Sequence, residues 1–198
     1  MTSALRREVF NLPNYLTMVR ILAIPVVVWL LVQDSPLTNL IAVTLFLLAA
    51  LTDMLDGYLA RRMGLDSALG KLLDPLADKI LVSTVMIALV PLGRMEAWIP
   101  MVVIGREFTI SGLRSMAAAE GLIIAARQLG KEKTAYQMIG LAFLMAGGSA
   151  PFGWWDGAPI YSVDQVGYAL ILISVAYAVI SAVEYMWLFI VEAMKREV

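Results

Sequence analysis

The chain has 198 residues, 61% of them apolar and 16% charged, with a mean hydropathy of +0.81. A soluble domain uses roughly 45–50% apolar residues, so the balance indicates an integral membrane protein. There is no Cys and no His, which excludes disulfides, thiolate nucleophiles, Ser-His-Asp triads and imidazole metal sites and leaves carboxylates, Lys, Arg, hydroxyls or a hard metal ion for any chemistry. The formal net charge of -1 identifies no partner by its sum, and no nucleic-acid partner is expected.

At about 20 residues per bilayer crossing, the chain has room for roughly six helices and one integral domain over 1–198. Residues 1–14 read as a short cytoplasmic juxtamembrane segment, with Ser3 to Phe10 able to form an amphipathic surface helix. Apolar runs follow at 15–33, 38–60, 72–93, 96–118, 134–152 and 165–191, separated by polar or Gly/Pro-containing breaks. The first run is too long for a signal-peptide core and reads as a retained span. Arg6, Arg7, Arg61, Arg62, Lys71, Arg127, Lys131, Lys133, Lys195 and Arg196 fall at the termini and even-numbered turns, against Arg94 alone on the opposite turns. The positive-inside rule then predicts both termini in the cytoplasm. Gly153 to Asp164 holds Trp154, Trp155 and Tyr161 without Lys or Arg, as expected of an outer loop at headgroup depth.

Between the second and third runs, Leu51 to Lys79 contains five of the chain's sixteen carboxylates. Asp53 and Asp56 are three apart and Asp74 and Asp78 four apart, so each pair lies on one helix face, and a short connection would bring the two faces together. Four converging carboxylates repel unless a cation neutralises them. An all-oxygen set suits Mg²⁺ or Mn²⁺, one ion or a pair, and such ions commonly complete their shell with phosphate oxygens. Gly57 and Ala60 leave a bare helix face, Gly70 allows close approach, Arg61 can hold a phosphate bidentately, and Lys71 and Lys79 add positive charge. Two other readings of the cluster are a solvated turn with capping aspartates and a divalent-cation path.

The string Asp53-x2-Asp56-Gly57-x2-Ala60-Arg61-x8-Gly70-x3-Asp74-x3-Asp78 resembles the complete signature of the CDP-alcohol phosphotransferases, integral enzymes of phospholipid synthesis. With roughly a one-in-fifteen chance per position, a random match is on the order of one in a billion per start site. Asn11-Leu-Pro-Asn14-x2-Thr17-x2-Arg20, Arg106-Glu107-Phe-x2-Ser111-Gly112-Leu-Arg114 and Gly130-Lys131-x-Lys133-Thr134-x2-Gln137 resemble the phosphatidylglycerophosphate synthase branch of that family.

The resemblance implies an all-α integral membrane protein with six transmembrane helices and a polar, metal-containing cavity at the cytoplasmic side. It implies attack of an alcohol on CDP-diacylglycerol with release of CMP, a homodimer, and a place in the bacterial cytoplasmic membrane with the active site facing the cytoplasm. Carried onto this chain, it makes Asp53, Asp56, Asp74 and Asp78 metal ligands and Asp78 also the general base. Gly57, Arg61, Ser67 and Gly70 would line the nucleotide and diphosphate; Ser67 stands where Thr is common but keeps the hydroxyl. Asn14 and Thr17 can reach the cytidine or a phosphate, and Asn14 equally suits a helix start.

A phosphate-bearing acceptor needs cations near the metal, and Arg114, Lys131 and Lys133 sit towards the cytoplasmic ends of runs four and five. Arg106 lies deeper, beside Glu107, and reads either as an acceptor contact or as a structural pair. The motif resemblance and this cation count favour sn-glycerol 3-phosphate, with an inositol phosphate as the sibling alternative. A divalent-cation transporter and a non-catalytic scaffold are the readings from other classes. Gly140, Ala142, Ala146, Gly147 and Gly148 make the fifth run small enough for close helix contact, between chains or within one.

Overall fold

A computed structural model describes residues 12–63, 68–120, 129–147, 151–155 and 158–194. Among them are six α-helices, α1 (Leu12–Val32), α2 (Pro36–Met63), α3 (Ala68–Leu89), α4 (Trp98–Ala119), α5 (Leu129–Ala146) and α6 (Val163–Met194), and two strands, β1 (Pro151–Trp155) and β2 (Ala158–Ser162). The chain divides into two compact units, one of Met1–Leu92 with Met145–Gly147 and one of Gly93–Leu144 with Gly148–Val198.

In the first unit α1 packs along both α2 and α3. Its buried stripe is Thr17, Arg20, Ile24, Val27 and Leu31, the three-and-four spacing of one helix face. Ala42, Phe46 and Ala49 of α2, and Ala77, Leu81, Val85 and Ala88 of α3, are the facing stripes. The turn from α1 to α2 is closed by reciprocal bonds: the Thr38 N–H donates to Ser35 Oγ (3.3 Å) and the Ser35 N–H to Thr38 Oγ1 (3.2 Å). This is a capping box with Thr in the usual Glu position, and Pro36 occupies the first helical site, where no N–H is needed.

In the second unit α4 buries Val103, Ile110 and Ala117, and α6 buries Ile171, Ala178 and Tyr185. Both series run at seven-residue spacing, the seam of helices that cross at a shallow angle. Against α5, α6 comes closer still: a Cβ added to Gly140 would lie 3.0 Å from the Gly167 carbonyl oxygen. Tyr136 of α5 and Tyr177 of α6 stack with ring centroids 5.7 Å apart. Gly140 is therefore used for packing inside the chain, the second of the two alternatives its size allowed. The α5 carbonyls end on two devices, Gly147 at φ 66° just past the last turn and the Arg94 guanidinium, which donates to the Leu144 carbonyl (3.0 Å). Arg94 thus has a structural partner on α5.

The predicted runs and the observed helices agree to within a few residues except at the fifth, expected at 134–152 and found at Leu129–Ala146. Apolar periodicity begins only after Lys133, but Gly130-Lys-Glu-Lys-Thr is compatible with helix and extends it backward. The all-helical expectation holds for the six long elements, and the predicted outer loop adds a short antiparallel hairpin that pairs Phe152 with Tyr161 and Trp155 with Ala158. The aromatic residues favour strand, and Asp156-Gly157 between them is a hairpin dipeptide that the membrane-anchor reading passed over. Ser162 then caps α6: the Gln165 N–H donates to Ser162 Oγ (3.2 Å) while Gln165 Oε1 accepts from the Ser162 N–H (3.1 Å).

Among the described residues, α6 over Val163–Glu192 is the helix long and apolar enough to cross a bilayer by length and composition, with a hydropathy of 2.2 and 28% of its apolar window buried inside the protein. Shorter apolar stretches occur at Thr17–Val32 and Pro36–Thr52. The end of α2 and helices α3 to α5 carry the charged residues that mark the candidate site. The surface segment Ser3 to Phe10 lies outside the described residues.

Candidate active site

The eight signature positions fall on two helices. Asp53, Asp56, Gly57, Ala60 and Arg61 occupy the second half of α2, and Gly70, Asp74 and Asp78 the first half of α3. Ser67 lies outside the described residues, as do the side chains of Asn14, Asp53, Asp56, Arg61, Asp74 and Lys131. Backbone register still places these positions. On α2, positions 53 and 56 continue the stripe of Ala42, Phe46 and Ala49 that packs on α1. On α3, positions 70 and 74 continue the stripe of Ala77, Leu81 and Val85, which packs on the same helix. Both signature helices thus carry these positions on the stripes that pack against α1.

That arrangement gives α1 a part in the site. Thr17 is 1% exposed and Arg20 3% exposed, and Arg20 Nε donates to the Ala49 carbonyl (3.1 Å). Ala49 lies one turn before position 53, so the guanidinium ties α1 to α2 just ahead of the acidic pair. The sequence carried a signal for Arg20 in its spacing from Thr17, but no role had been attached to it. Asp78 is half-buried and has a polar partner, and Lys79 beside it is likewise half-buried and partnered. Among the described side chains no three carboxylates come together. The donor set itself, four carboxylates at three- and four-residue spacing with no nitrogen or sulfur ligand, fits a hard divalent cation.

The second unit holds a separate polar cluster. Arg106 of α4 has a protein partner on each of its nitrogens: Nε donates to the Ala178 carbonyl (3.2 Å), Nη2 to Ser181 Oγ (2.7 Å), and Nη1 to Glu107 Oε1 (2.8 Å). Lys133 of α5 donates its Nζ to the same Glu107 oxygen. Lys133 is 4% exposed because it falls on the inward stripe of α5 with Gln137, Leu141 and Leu144. Arg106 makes the pair that one of its two readings describes. Arg114 is exposed, its guanidinium 5.5 Å from the centre of the Tyr185 ring, a cation–π placement that leaves its edge hydrogens to other acceptors. Glu107 is the group to which sequence reasoning assigned no role of its own. Its signal was cost: a carboxylate in the middle of an apolar helix persists only with partners.

A family model described as CDP-alcohol phosphatidyltransferase matches residues 10–180. The chain is similar to a protein of Rickettsia bellii named CDP-diacylglycerol–glycerol-3-phosphate 3-phosphatidyltransferase, 38% identical over 175 residues that cover 88% of this chain and 93% of the relative. It is 40% identical over 148 residues to the Bacillus subtilis protein of the same name, covering 69% of this chain and 77% of the relative. A rice protein named cardiolipin synthase (CMP-forming) is 34% identical over 193 residues, which cover 90% of this chain and 57% of the relative.

Proposed function

From the premise that the chain belongs to the CDP-alcohol phosphatidyltransferase family, we propose that it transfers the phosphatidyl group of CDP-diacylglycerol to sn-glycerol 3-phosphate, giving phosphatidylglycerophosphate and CMP. The observation that carries this reading is the eight-position signature on α2 and α3, supported by relatives so named over most of the chain. Asp53, Asp56, Asp74 and Asp78 would hold one or two Mg²⁺ or Mn²⁺ ions. A divalent ion held there would supply positive charge to the diphosphate and so ease the departure of CMP.

The chain's own residues do the rest. Asn14, Thr17, Gly57, Arg61, Ser67 and Gly70 bind the nucleotide and diphosphate and fix the phosphorus that is attacked. The acceptor hydroxyl oxygen bonds to that phosphorus as its bond to the CMP oxygen breaks, and the hydroxyl proton passes to the Asp78 carboxylate. With no His in the chain, a carboxylate is the available base. Arg114, Lys131 and Lys133 hold the acceptor's phosphate, a group that cations select over a neutral alcohol.

In this reading the chain is one integral domain with six crossings, both termini cytoplasmic, in the bacterial cytoplasmic membrane. The exposed apolar faces support it: Leu22, Val26 and Trp29 on α1 and Ile180, Val183 and Trp187 on α6 are all more than two-fifths exposed, which suits lipid rather than water. The family resemblance implies a homodimer.

The test is CMP release by purified protein in detergent with CDP-diacylglycerol and Mg²⁺ or Mn²⁺. Release with glycerol 3-phosphate, lost in Asp78→Asn, is the expected result; release with an inositol phosphate or serine instead would refute the acceptor assignment. Similarity to the rice cardiolipin synthase favours a second reading in which the acceptor hydroxyl belongs to phosphatidylglycerol. That lipid is the further arm of the same assay. No release with any acceptor from folded protein would overturn the enzymatic reading.

A further inference from the structure

Glu107 sits at the centre of the polar cluster of the second unit, yet the proposed reaction leaves it without a task. Its Oε1 accepts from both Arg106 Nη1 and Lys133 Nζ, so one carboxylate oxygen joins a cation of α4 to a cation of α5. Arg106 is itself fixed, because its other nitrogens are bound to the Ala178 carbonyl and to Ser181 Oγ. Ser181 in turn donates to the Ala178 carbonyl (3.1 Å). The partners form one chain of contacts that starts from the α6 backbone, passes through Arg106 and Glu107, and reaches the Lys133 ammonium. A lysine side chain has four rotatable carbons and loses much conformational freedom when held. A carboxylate held by a tethered guanidinium removes that freedom before any substrate arrives.

We infer that Glu107 is a positioning residue for the acceptor phosphate, acting through Lys133, with Arg106 as its anchor to α6 and not as a contact to substrate. This rests on the reading above in which Lys133 binds that phosphate. The carboxylate fixes where the ammonium points, and affinity for an anionic acceptor follows from that, while the CDP-diacylglycerol groups on α2 and α3 are untouched.

The experiment is steady-state kinetics of the full-length protein in mixed micelles, varying each substrate in turn, on wild type, Glu107→Gln, Glu107→Asp, Lys133→Met and Ser181→Ala, with thermal unfolding of each. Loss of one charge-assisted contact corresponds to about a tenfold effect or more. In Glu107→Gln the KM for glycerol 3-phosphate is expected to rise by about tenfold, with the KM for CDP-diacylglycerol unchanged and Glu107→Asp in between. Ser181→Ala, which loosens the anchor without removing charge, should raise the same KM by about threefold, and it carries the test if Glu107→Gln does not fold. An acceptor KM that stays at the wild-type value in Glu107→Gln while Lys133→Met raises it overturns the positioning role and leaves the proposed reaction standing. Parallel changes in both KM values with lowered thermal stability would show a purely structural cluster and overturn it also. A wild type that never uses glycerol 3-phosphate removes the acceptor reading and the inference together.

Discussion

Replacing Gly167 by Ala tests whether α5 and α6 touch backbone to backbone. The added Cβ would stand 2.8 Å from Phe143 Cβ, 3.1 Å from the Gly140 oxygen and 3.1 Å from the Leu144 nitrogen. Carbon atoms rest at about 3.5–4.0 Å, so the helices must part by something near 1 Å. None of the three obstructing atoms is the flexible end of a side chain. Overpacking of this kind costs about 1–3 kcal/mol, while Ala instead of Gly in a helix returns up to about 1 kcal/mol. Gly105→Ala is the matched control, because its Cβ would meet nothing within 4 Å and only the helix gain remains. The difference between the two variants isolates the steric cost, about 1–3 kcal/mol in favour of Gly105→Ala. Unfolding by SDS or urea in detergent micelles, followed by Trp fluorescence, measures it. Equal stability of the two variants would refute the close crossing of α5 and α6.

Arg94→Met removes the donor to the Leu144 carbonyl and should lower stability by about 1–3 kcal/mol, read by the same unfolding assay, with both KM values unchanged. Ser162→Ala removes the cap of α6 and should cost about 1 kcal/mol, with faster amide exchange confined to the first turn of that helix. Chelation with EDTA should abolish CMP release, and added Mg²⁺ or Mn²⁺ should restore it; activity that survives chelation would remove the metal role of the four aspartates.

Helix positions were legible because lipid-scale apolar runs are long and their breaks carry Gly, Pro or charge. The acidic signature was legible as a pattern because Asp53 and Asp56, and Asp74 and Asp78, stand at spacings that share a helix face. Three things were not. Lys133 reads from its neighbours as part of a basic connection, but a stripe of Gln137, Leu141 and Leu144 beyond it turns it inward. The part played by α1 is a tertiary fact: one helix packed on both α2 and α3 leaves no periodicity of its own in either. The hairpin was hidden by an ambiguity of Trp and Tyr, which serve equally as interface anchors and as strand formers, and the Asp156-Gly157 pair was the cue that separates them.

The adjacency of Arg106 and Glu107 bears on how the chain is made. Ser181 follows Arg106 by 75 positions and Lys133 follows Glu107 by 26, so α4 leaves the ribosome with neither of these later partners yet available. A lone guanidinium or carboxylate buried among apolar groups is costly. Two neighbours of opposite sign, in contact at 2.8 Å, neutralise one another meanwhile. Their juxtaposition lets α4 form first and join the cluster afterwards, so the order of residues along the helix serves assembly as well as the finished fold.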